Sequence, residues 1–478
     1  MEGHRASLST QVLYGSGSIA VGIKNNLLGT YLLIYYNQVL GLDAGVVALA
    51  MAIALVVDAV SDPLVGIWSD RARTRWGRRH PFMYAALVPF AASYYLLLSD
   101  PGQISDQALF LRLLVLLVIL RVSMTFYEVP RGALAPELSK DYDQRNALSA
   151  WAMAFGWLGG AGIAFVANRY LLDSFVDLEG YQSLAFWGGL GIFIGGVVSC
   201  LGTHRNIPSL HAPEPRSVHF RTLLREGKET LANRSWIVLF LAGCIYALLV
   251  GVEQGVGTYY AEYLWQWKPE QIAPFAFFTA LSVIATVAMA PFIARGREKK
   301  NIAVGIFLFT VAVGPLPVLL RLLDLSYGTS LSPANGSDLL WGILLLHTCA
   351  MSSLGALGFV FIGSMGMEIV EEVQKRTGRR EEGLLGTVNS FVHKLIGAGG
   401  VLISGAIISW VGFDDPAADP ARLYGGPAIV EFGWIHVALS LTLPIFSTVL
   451  VLRYDIDRDK HERHLNALGY RPSREVDS

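Results

Sequence analysis

The segment Asp58-Ala-Val-Ser-Asp62-Pro63-Leu-Val-Gly66-Ile-Trp-Ser-Asp70-Arg71-Ala-Arg73-Thr-Arg75-Trp-Gly77-Arg78-Arg79-His80-Pro81 joins a buried acidic pair to its own exit from a membrane. It starts inside an apolar run that opens near Ala44, so Asp58 and Asp62 fall at bilayer depth, whereas the arginines that follow must reach water. A helix turns once in about 3.6 residues, which puts positions 58 and 62 on one face with carboxylates able to converge on a single cation. One carboxylate alone in hydrocarbon takes up a proton; two beside a wet cavity make a site for Na⁺ or H⁺.

Working outward, the chain has 478 residues, 53% hydrophobic and 16% charged, with a mean hydropathy of +0.46. These values are those of an all-α integral membrane protein. A net charge of -1 excludes a nucleic-acid partner, because phosphate backbones need clustered, uncompensated positive charge. Cys200, Cys244 and Cys349 lie in apolar runs at wide spacings and read as packing residues. No cleavage site follows the first apolar run, so the first helix is expected to stay in the mature chain.

With about 20 apolar residues needed per crossing, runs near 12–40, 44–69, 81–99, 107–136, 146–172 and 181–203 give six spans. Six more follow near 236–264, 270–295, 300–322, 338–369, 383–412 and 428–453. Twelve transmembrane helices in two six-helix halves are expected: residues 1–203, a linker at 204–235 rich in proline and arginine, residues 236–455, and a polar tail at 456–478. Basic residues gather at Arg71 to Arg79, Arg295 to Lys300 and Lys375 to Arg380, all in loops of one parity. The other parity carries Asp100, Asp106, Asp173, Asp177, Asp414, Asp415 and Asp419. The basic loops and both termini are therefore expected in the cytoplasm. Two such halves joined by a cytoplasmic loop is the layout of a transporter that rocks about a midplane site.

Each ionisable group at depth needs a partner or a cavity. In the first half these are Lys24 beside Asn25 and Asn26, then Asp58, Asp62, Arg121, Thr125 and Glu128. The second half offers Glu253, Glu262, Glu368, Glu371, Glu372, His393 and Lys394. Thr125 and Glu128 are three residues apart, so a hydroxyl and a third carboxylate are expected to join the acidic pair as cation ligands. Two readings stand for most of these residues. Asp58 and Asp62 hold either a coupling ion or a structural ion pair with Arg121 or Lys394; Glu128 is either a ligand or a partner for backbone freed near Pro130. Lys24 either faces substrate or snorkels, and His393 reads as a packing histidine. Arg71, Arg78 and Arg79 fix topology or, with Asp70, form an inner gate. Gly397, Gly399, Gly400 and Gly405 read as close helix contacts.

Tyr14-Gly15, Tyr35-Tyr36 with Gly41-Leu42, the Asp58–Pro81 block, Val129-Pro130, Ala135-Pro136-Glu137-Leu138-Ser139, Thr377-Gly378-Arg379-Arg380 and Lys394 carry a resemblance. Together they resemble the glycoside-pentoside-hexuronide:cation symporter family of the major facilitator superfamily, the melibiose permease type, with its sodium-dependent lysophosphatidylcholine symporter branch. The resemblance covers essentially the whole chain and implies the major facilitator fold. It further implies a cation site at Asp58, Asp62 and Thr125, and a required lysine at Lys394. Four positions depart from the sugar-binding pattern: Gly22, Glu128, Gly132 and Ala152 stand where that pattern has aspartate, aspartate, tryptophan and arginine. Gly251-Val252-Glu253 resembles a glutamate motif of the lysolipid branch, whereas Ala152 departs from that branch as well.

The resulting expectation is a Na⁺-coupled symporter of a lysophospholipid-like amphiphile, with a Na⁺- or H⁺-coupled glycoside symporter as the alternative. Substrate is expected at Glu253, Lys394, Lys24, Asn25 and Glu128. No cofactor beyond the coupling Na⁺ and no partner beyond substrate and membrane lipids is expected, for a monomer in the bacterial inner membrane. Without H-E-x-x-H, G-x-S-x-G or repeated metal-ligand spacings, the chain is not read as an enzyme.

Overall fold

The computed structural model describes residues 7–139, 142–207, 233–295, 297–377, 382–414, 420–456, 460 and 462–464. The linker residues Arg216, Arg221, Arg225 and Lys228, the Gly378–Arg380 motif, and Asp415 and Asp419 lie outside the described residues.

Long apolar runs become long helices because a backbone in hydrocarbon must bond to itself. Among the described residues eleven helices are long and apolar enough to cross a membrane, and the segment 8–39, here α1, adds a crossing assembled from short pieces. The others are α2 (Ala44–Arg71), α3 (His80–Leu98), α4 (Asp106–Leu138), α5 (Tyr142–Val166), α6 (Leu178–His204) and α7 (Arg234–Val252). They continue with α8 (Pro269–Ala294), α9 (Lys299–Val313, resumed at Leu316–Tyr327), α10 (Asp338–Thr377), α11 (Glu382–Trp410) and α12 (Pro427–Leu452).

Hydropathy located the crossings but not their irregularities. α1 carries wide π turns at Leu27–Tyr31 and Tyr35–Val39, and α7 breaks after Val252, where Gly255 adopts φ +80 before the chain resumes at Val256–Tyr259. Only glycine enters that left-handed region without strain. α9 is interrupted at Gly314-Pro315. α10 runs on to Thr377, well beyond the apolar run that marks it, and carries Glu368, Glu371 and Glu372 into the basic end.

Neighbouring helices pack mostly within their own half, α3 on α4 and α6, α7 on α11 and α12. The halves meet where α2 lies along α11 and where α5 meets α8. Glycine lets backbones touch here. A β-carbon at Gly405 would fall 2.2 Å from the Ala48 β-carbon and 2.7 Å from the Ala44 carbonyl oxygen, and within the second half one at Gly251 would fall 2.2 Å from the Gly397 carbonyl oxygen. In the first half the core is rich in tyrosine whose hydroxyls find acceptors: Tyr35 and Tyr36 donate to the carbonyls of Leu98 and Leu97 at 3.1 and 3.0 Å. Those bonds satisfy acceptors left free by the end of α3.

Candidate functional site

The acidic pair sits where α2, α4 and α11 come together. Asp58 is 1% exposed. Arg121 Nη1 on α4 lies 3.2 Å from Asp58 Oδ2. Lys394 Nζ on α11 lies 2.9 Å from the same oxygen and 2.5 Å from Asp62 Oδ2. The Thr125 hydroxyl is 3.1 Å from Oδ1 of Asp58 and 3.1 Å from Oδ1 of Asp62, and Ser61 Oγ lies 3.1 Å from it in turn. Two carboxylates thus face two cations around a small cluster of hydroxyls, and the charges cancel within the cluster. Local geometry explains the convergence: Asp58 and Asp62 share a face of α2, while Arg121 and Thr125, four apart, share a face of α4.

Lys394 belongs to the second half and the acids to the first, so this ion pair also ties the halves together. Asp62 and Lys394 are 28% and 24% exposed, unlike Asp58. The cluster is therefore closed around Asp58 and partly open at Asp62 and Lys394.

Glu128 is a correction. The spacing from Thr125 places it on the right face of α4, yet among the described residues it makes no hydrogen bond or ion pair to the acidic pair. A shared face does not give equal reach, since three residues turn the side chain by about 60° and advance it by about 4.5 Å along the axis. Glu128 lies within electrostatic reach of Lys24 on α1, where it is the strongest charged influence, and of Arg121. Lys24 does not snorkel: it is 4% exposed and makes no hydrogen bond or ion pair among the described residues. Asn25 is exposed beside it.

Glu253 lies at the break in α7, away from the acidic pair. His436 Nε2 is 2.9 Å from its Oε1, and the Ser440 hydroxyl donates to the same oxygen at 3.1 Å. His393 stacks on Phe240 with ring centroids 5.9 Å apart, the packing role its sequence context suggested.

The inner-gate expectation also changes. Arg79 pairs with Asp70 and, at 2.9 Å, with Glu137, and Arg78 reaches Glu137 at 2.8 Å. All four groups belong to the first half, so this network fastens the α2–α3 turn to α4 rather than one half to the other. Arg71 is exposed and takes no part.

Contacts between the halves instead cluster at the opposite, acidic end, and sequence reading missed them. The Gly255 amide donates to the Gly29 carbonyl at 3.0 Å, Thr258 Oγ1 to the Thr30 carbonyl at 2.7 Å, Tyr259 to Asn37 Oδ1 at 2.7 Å and Tyr263 to Gln38 Oε1 at 2.6 Å. The carboxylate of Asp414 accepts from the Ala44 amide at 2.8 Å and from Asn37, while Ser409 lies 2.9 Å from the Gly45 amide. Between α5 and α8, Arg169 and Glu270 pair at 3.3 Å. The carriers of this latch are the wide turns of α1 and the break in α7, which expose backbone groups that a regular helix would consume.

Comparison with known proteins now bears on the whole chain. A model of the MFS/sugar transport protein family matches residues 13–458. The chain belongs to this family. It is similar to the uncharacterized symporter YnaJ of Bacillus subtilis, 25% identical over 482 residues, covering 98% of this chain and 96% of that one. The putative glycoside/cation symporter YagG of Escherichia coli is 24% identical over 413 residues, 85% of this chain and 82% of that one. Among solved structures, the nucleoside transporter NupG superposes with a TM-score of 0.59 at 12% identity, over 94% of this chain and 100% of that chain. That likeness speaks for the fold, which is the major facilitator fold of a multi-pass membrane protein. The family is one of transporters, not of enzymes.

Proposed function

We propose that the protein is a Na⁺-coupled symporter of the inner membrane that carries a lysophospholipid-like amphiphile. The single observation behind this reading is Lys394 of the second half lying between Asp58 and Asp62 of the first. A Na⁺ taken up by the two carboxylates with the Thr125 hydroxyl replaces the lysine as counter-charge, and its arrival loosens one bond between the halves. Ion occupancy is thereby linked to which end of the molecule is open. Hard oxygen donors suit Na⁺ chemically. The positive-inside rule assigns the Arg71–Arg79 end to the cytoplasm, and the latched acidic end then faces outward.

For the substrate, the support comes from Lys24 and Glu128, opposite charges without a hydrogen-bonding partner among the described residues. A zwitterionic headgroup complements such a couple, and the groups expected to grip a sugar are absent at Gly22, Gly132 and Ala152. The second reading, a cation-coupled glycoside symporter, is favoured by the likeness to the glycoside/cation symporter YagG.

The test is substrate-dependent ²²Na⁺ uptake into proteoliposomes, with a lysophosphatidylcholine and a galactoside side by side. Uptake driven by the lysolipid and lost in both Asp58→Asn and Asp62→Asn is the expected result. Uptake driven by the galactoside alone replaces the substrate; uptake that survives both substitutions overturns the ion site.

A further inference from the structure

The side of α2 turned away from the acidic pair leads to a second group of charges. Leu49, Ile53, Val56, Val60, Leu64 and Ile67 are exposed apolar residues, spaced three or four apart, so they form one stripe along the helix. Asp58 is nine positions from both Leu49 and Ile67, about two and a half turns, which sets the stripe opposite the buried site. The stripe runs unbroken from the end where the halves are latched to the end where α2 stops, and it therefore faces lipid rather than an opening between the halves. Four residues beyond Ile67 it reaches Arg71, and Trp68, 59% exposed, stands three residues before that arginine.

The turn that follows is rigid and basic. The Thr74 hydroxyl donates to the Gly77 carbonyl at 2.6 Å and accepts from the Trp76 amide at 3.1 Å, and Gly77 takes the left-handed φ of +75 that closes the turn. Trp76 is thereby fixed at the surface, 42% exposed. It stands edge-on to Tyr84 of α3 with ring centroids 5.8 Å apart, and the Arg75 guanidinium lies 5.5 Å from its ring centre. Trp68 makes similar edge contacts with Phe82 of α3 and Phe126 of α4, so both indoles lean on α3. Arg71, Arg73 and Arg75 are all exposed. Arg73 uses Nη1 to donate to the carbonyls of Asp70 and Ala72 at 3.1 Å, and none of the three has a carboxylate partner among the described residues. The nearby acids are already engaged, Asp70 by Arg79 and Glu137 by Arg78 and Arg79.

We infer that Arg71, Arg73 and Arg75, with Trp68 and Trp76, seat the phosphodiester headgroup of an anionic phospholipid whose acyl chains lie along the α2 stripe. A planar guanidinium meets two phosphate oxygens at once. The indoles occupy the depth where hydrocarbon gives way to headgroups, and neither indole nitrogen has an acceptor among the described residues. Three uncompensated positive charges favour a head of net negative charge. A zwitterionic head brings a cation of its own, and the one carboxylate of the 70–79 turn is held by Arg79. Arginines that only fix orientation need water and nothing else; these stand at the end of a lipid-facing stripe between two exposed indoles. The α8–α9 connection supplies the contrast, for Arg295 and Arg297 are exposed there too, yet neither α8 nor α9 carries a tryptophan. The site requires only that the chain sits in a bilayer, and it stands whether or not Asp58 and Asp62 couple an ion.

The experiment is native mass spectrometry of the full chain released from detergent micelles, titrated with dioleoylphosphatidylglycerol or, at equal chain length, dioleoylphosphatidylcholine. The first phosphatidylglycerol is expected to bind about tenfold more tightly than the first phosphatidylcholine, within what two or three surface charges supply. Arg71→Gln combined with Arg75→Gln is expected to remove that preference, lowering phosphatidylglycerol binding about tenfold and leaving phosphatidylcholine unchanged. Trp76→Leu is expected to weaken both lipids about threefold. Arg295→Gln combined with Arg297→Gln removes the same charge elsewhere and is expected to leave the preference intact. Equal binding of the two lipids by the native chain, or equal losses in the two arginine pairs, overturns the assignment. Melting temperatures in detergent are read alongside; should the Arg71 and Arg75 double variant fail to fold, the lipid comparison on the native chain and Trp76→Leu still decide it.

Discussion

Among the described residues the halves meet at two junctions of different make. At mid-depth, Lys394 bridges to Asp58 and Asp62 with formal charges and short contacts. At the acidic end, the latch relies mainly on neutral hydrogen bonds, Gly255 to Gly29, Thr258 to Thr30, Tyr259 to Asn37 and Tyr263 to Gln38, with the Asp414 carboxylate and the Arg169–Glu270 pair beside them. A junction of charges responds to an added ion, because the ion competes for the same carboxylates. A junction of neutral bonds does not compete with ions, and it yields when the geometry of the helices changes. The first is therefore suited to sense the coupling cation and the second to hold whichever end is shut.

The largest effect is expected from Lys394→Met. Removing one partner of a largely buried ion pair typically costs about 3–5 kcal/mol, and the exposure of Asp62 and Lys394 on one side puts this case at the lower end. Two carboxylates would then face Arg121 alone, an excess of one negative charge. In Na⁺-free buffer the variant should melt well below the native protein, and adding Na⁺ should restore most of the loss, while the native protein responds weakly. A variant with native melting behaviour and no Na⁺ response would show that Lys394 and the cation do not share the site.

A smaller effect is expected where α2 and α11 touch. At Gly405 an added β-carbon meets the Ala48 β-carbon at 2.2 Å and the Ala44 carbonyl oxygen at 2.7 Å, and backbone cannot retreat as a flexible side chain can. Overpacking of this kind costs about 1–3 kcal/mol. Because Ala44 and Gly45 carry latch bonds to Asp414 and Ser409, Gly405→Leu should shift the population toward an opened acidic end. Spin labels on exposed Gln103 and Ser330, in a background without Cys200, Cys244 and Cys349, report the separation. An unchanged distance distribution would mean that the latch tolerates parted helices.

The contrast between the junctions also explains what the sequence could disclose. Asp58, Asp62 and Lys394 are conspicuous because a charge in an apolar run demands an account, and helical spacing then places the two acids on one face. Glu128 shows the limit: its face was right and its reach was not, since period fixes angle but not the position of a neighbouring helix. Asn37, Gln38 and Asp43 gave no signal, and Asp414 marked only the acidic parity of its loop. They lie at the ends of apolar runs, where polar residues are ordinary, and their partners are hundreds of positions away.

The smallest effect concerns pH at the acidic end. Asp414 and Asp43 face each other there with Ser409, Asn37 and Tyr259 around them. Burial, with Asp43 adding to it, lifts the Asp414 carboxyl above its ordinary range. Asp43 moves the other way: hydrogen bonds from Asp414, the Val46 amide and Ser409 outweigh its burial and hold it low. When the latch opens, Asp414 reaches water and returns toward an ordinary value of about 4. At Asp414 the closed form thus binds a proton that the open form releases, so this group's support for closure is full below about pH 4 and is lost as pH rises through the raised value, whereas Asp43 supports closure until pH falls through its lowered value. The Gln103–Ser330 label pair should show the closed population falling modestly across that window. Asp414→Asn keeps a carbonyl for the Ala44 amide and removes the titration, so its closed population should not vary with pH; a variant that keeps the native pH response would place the sensing group elsewhere.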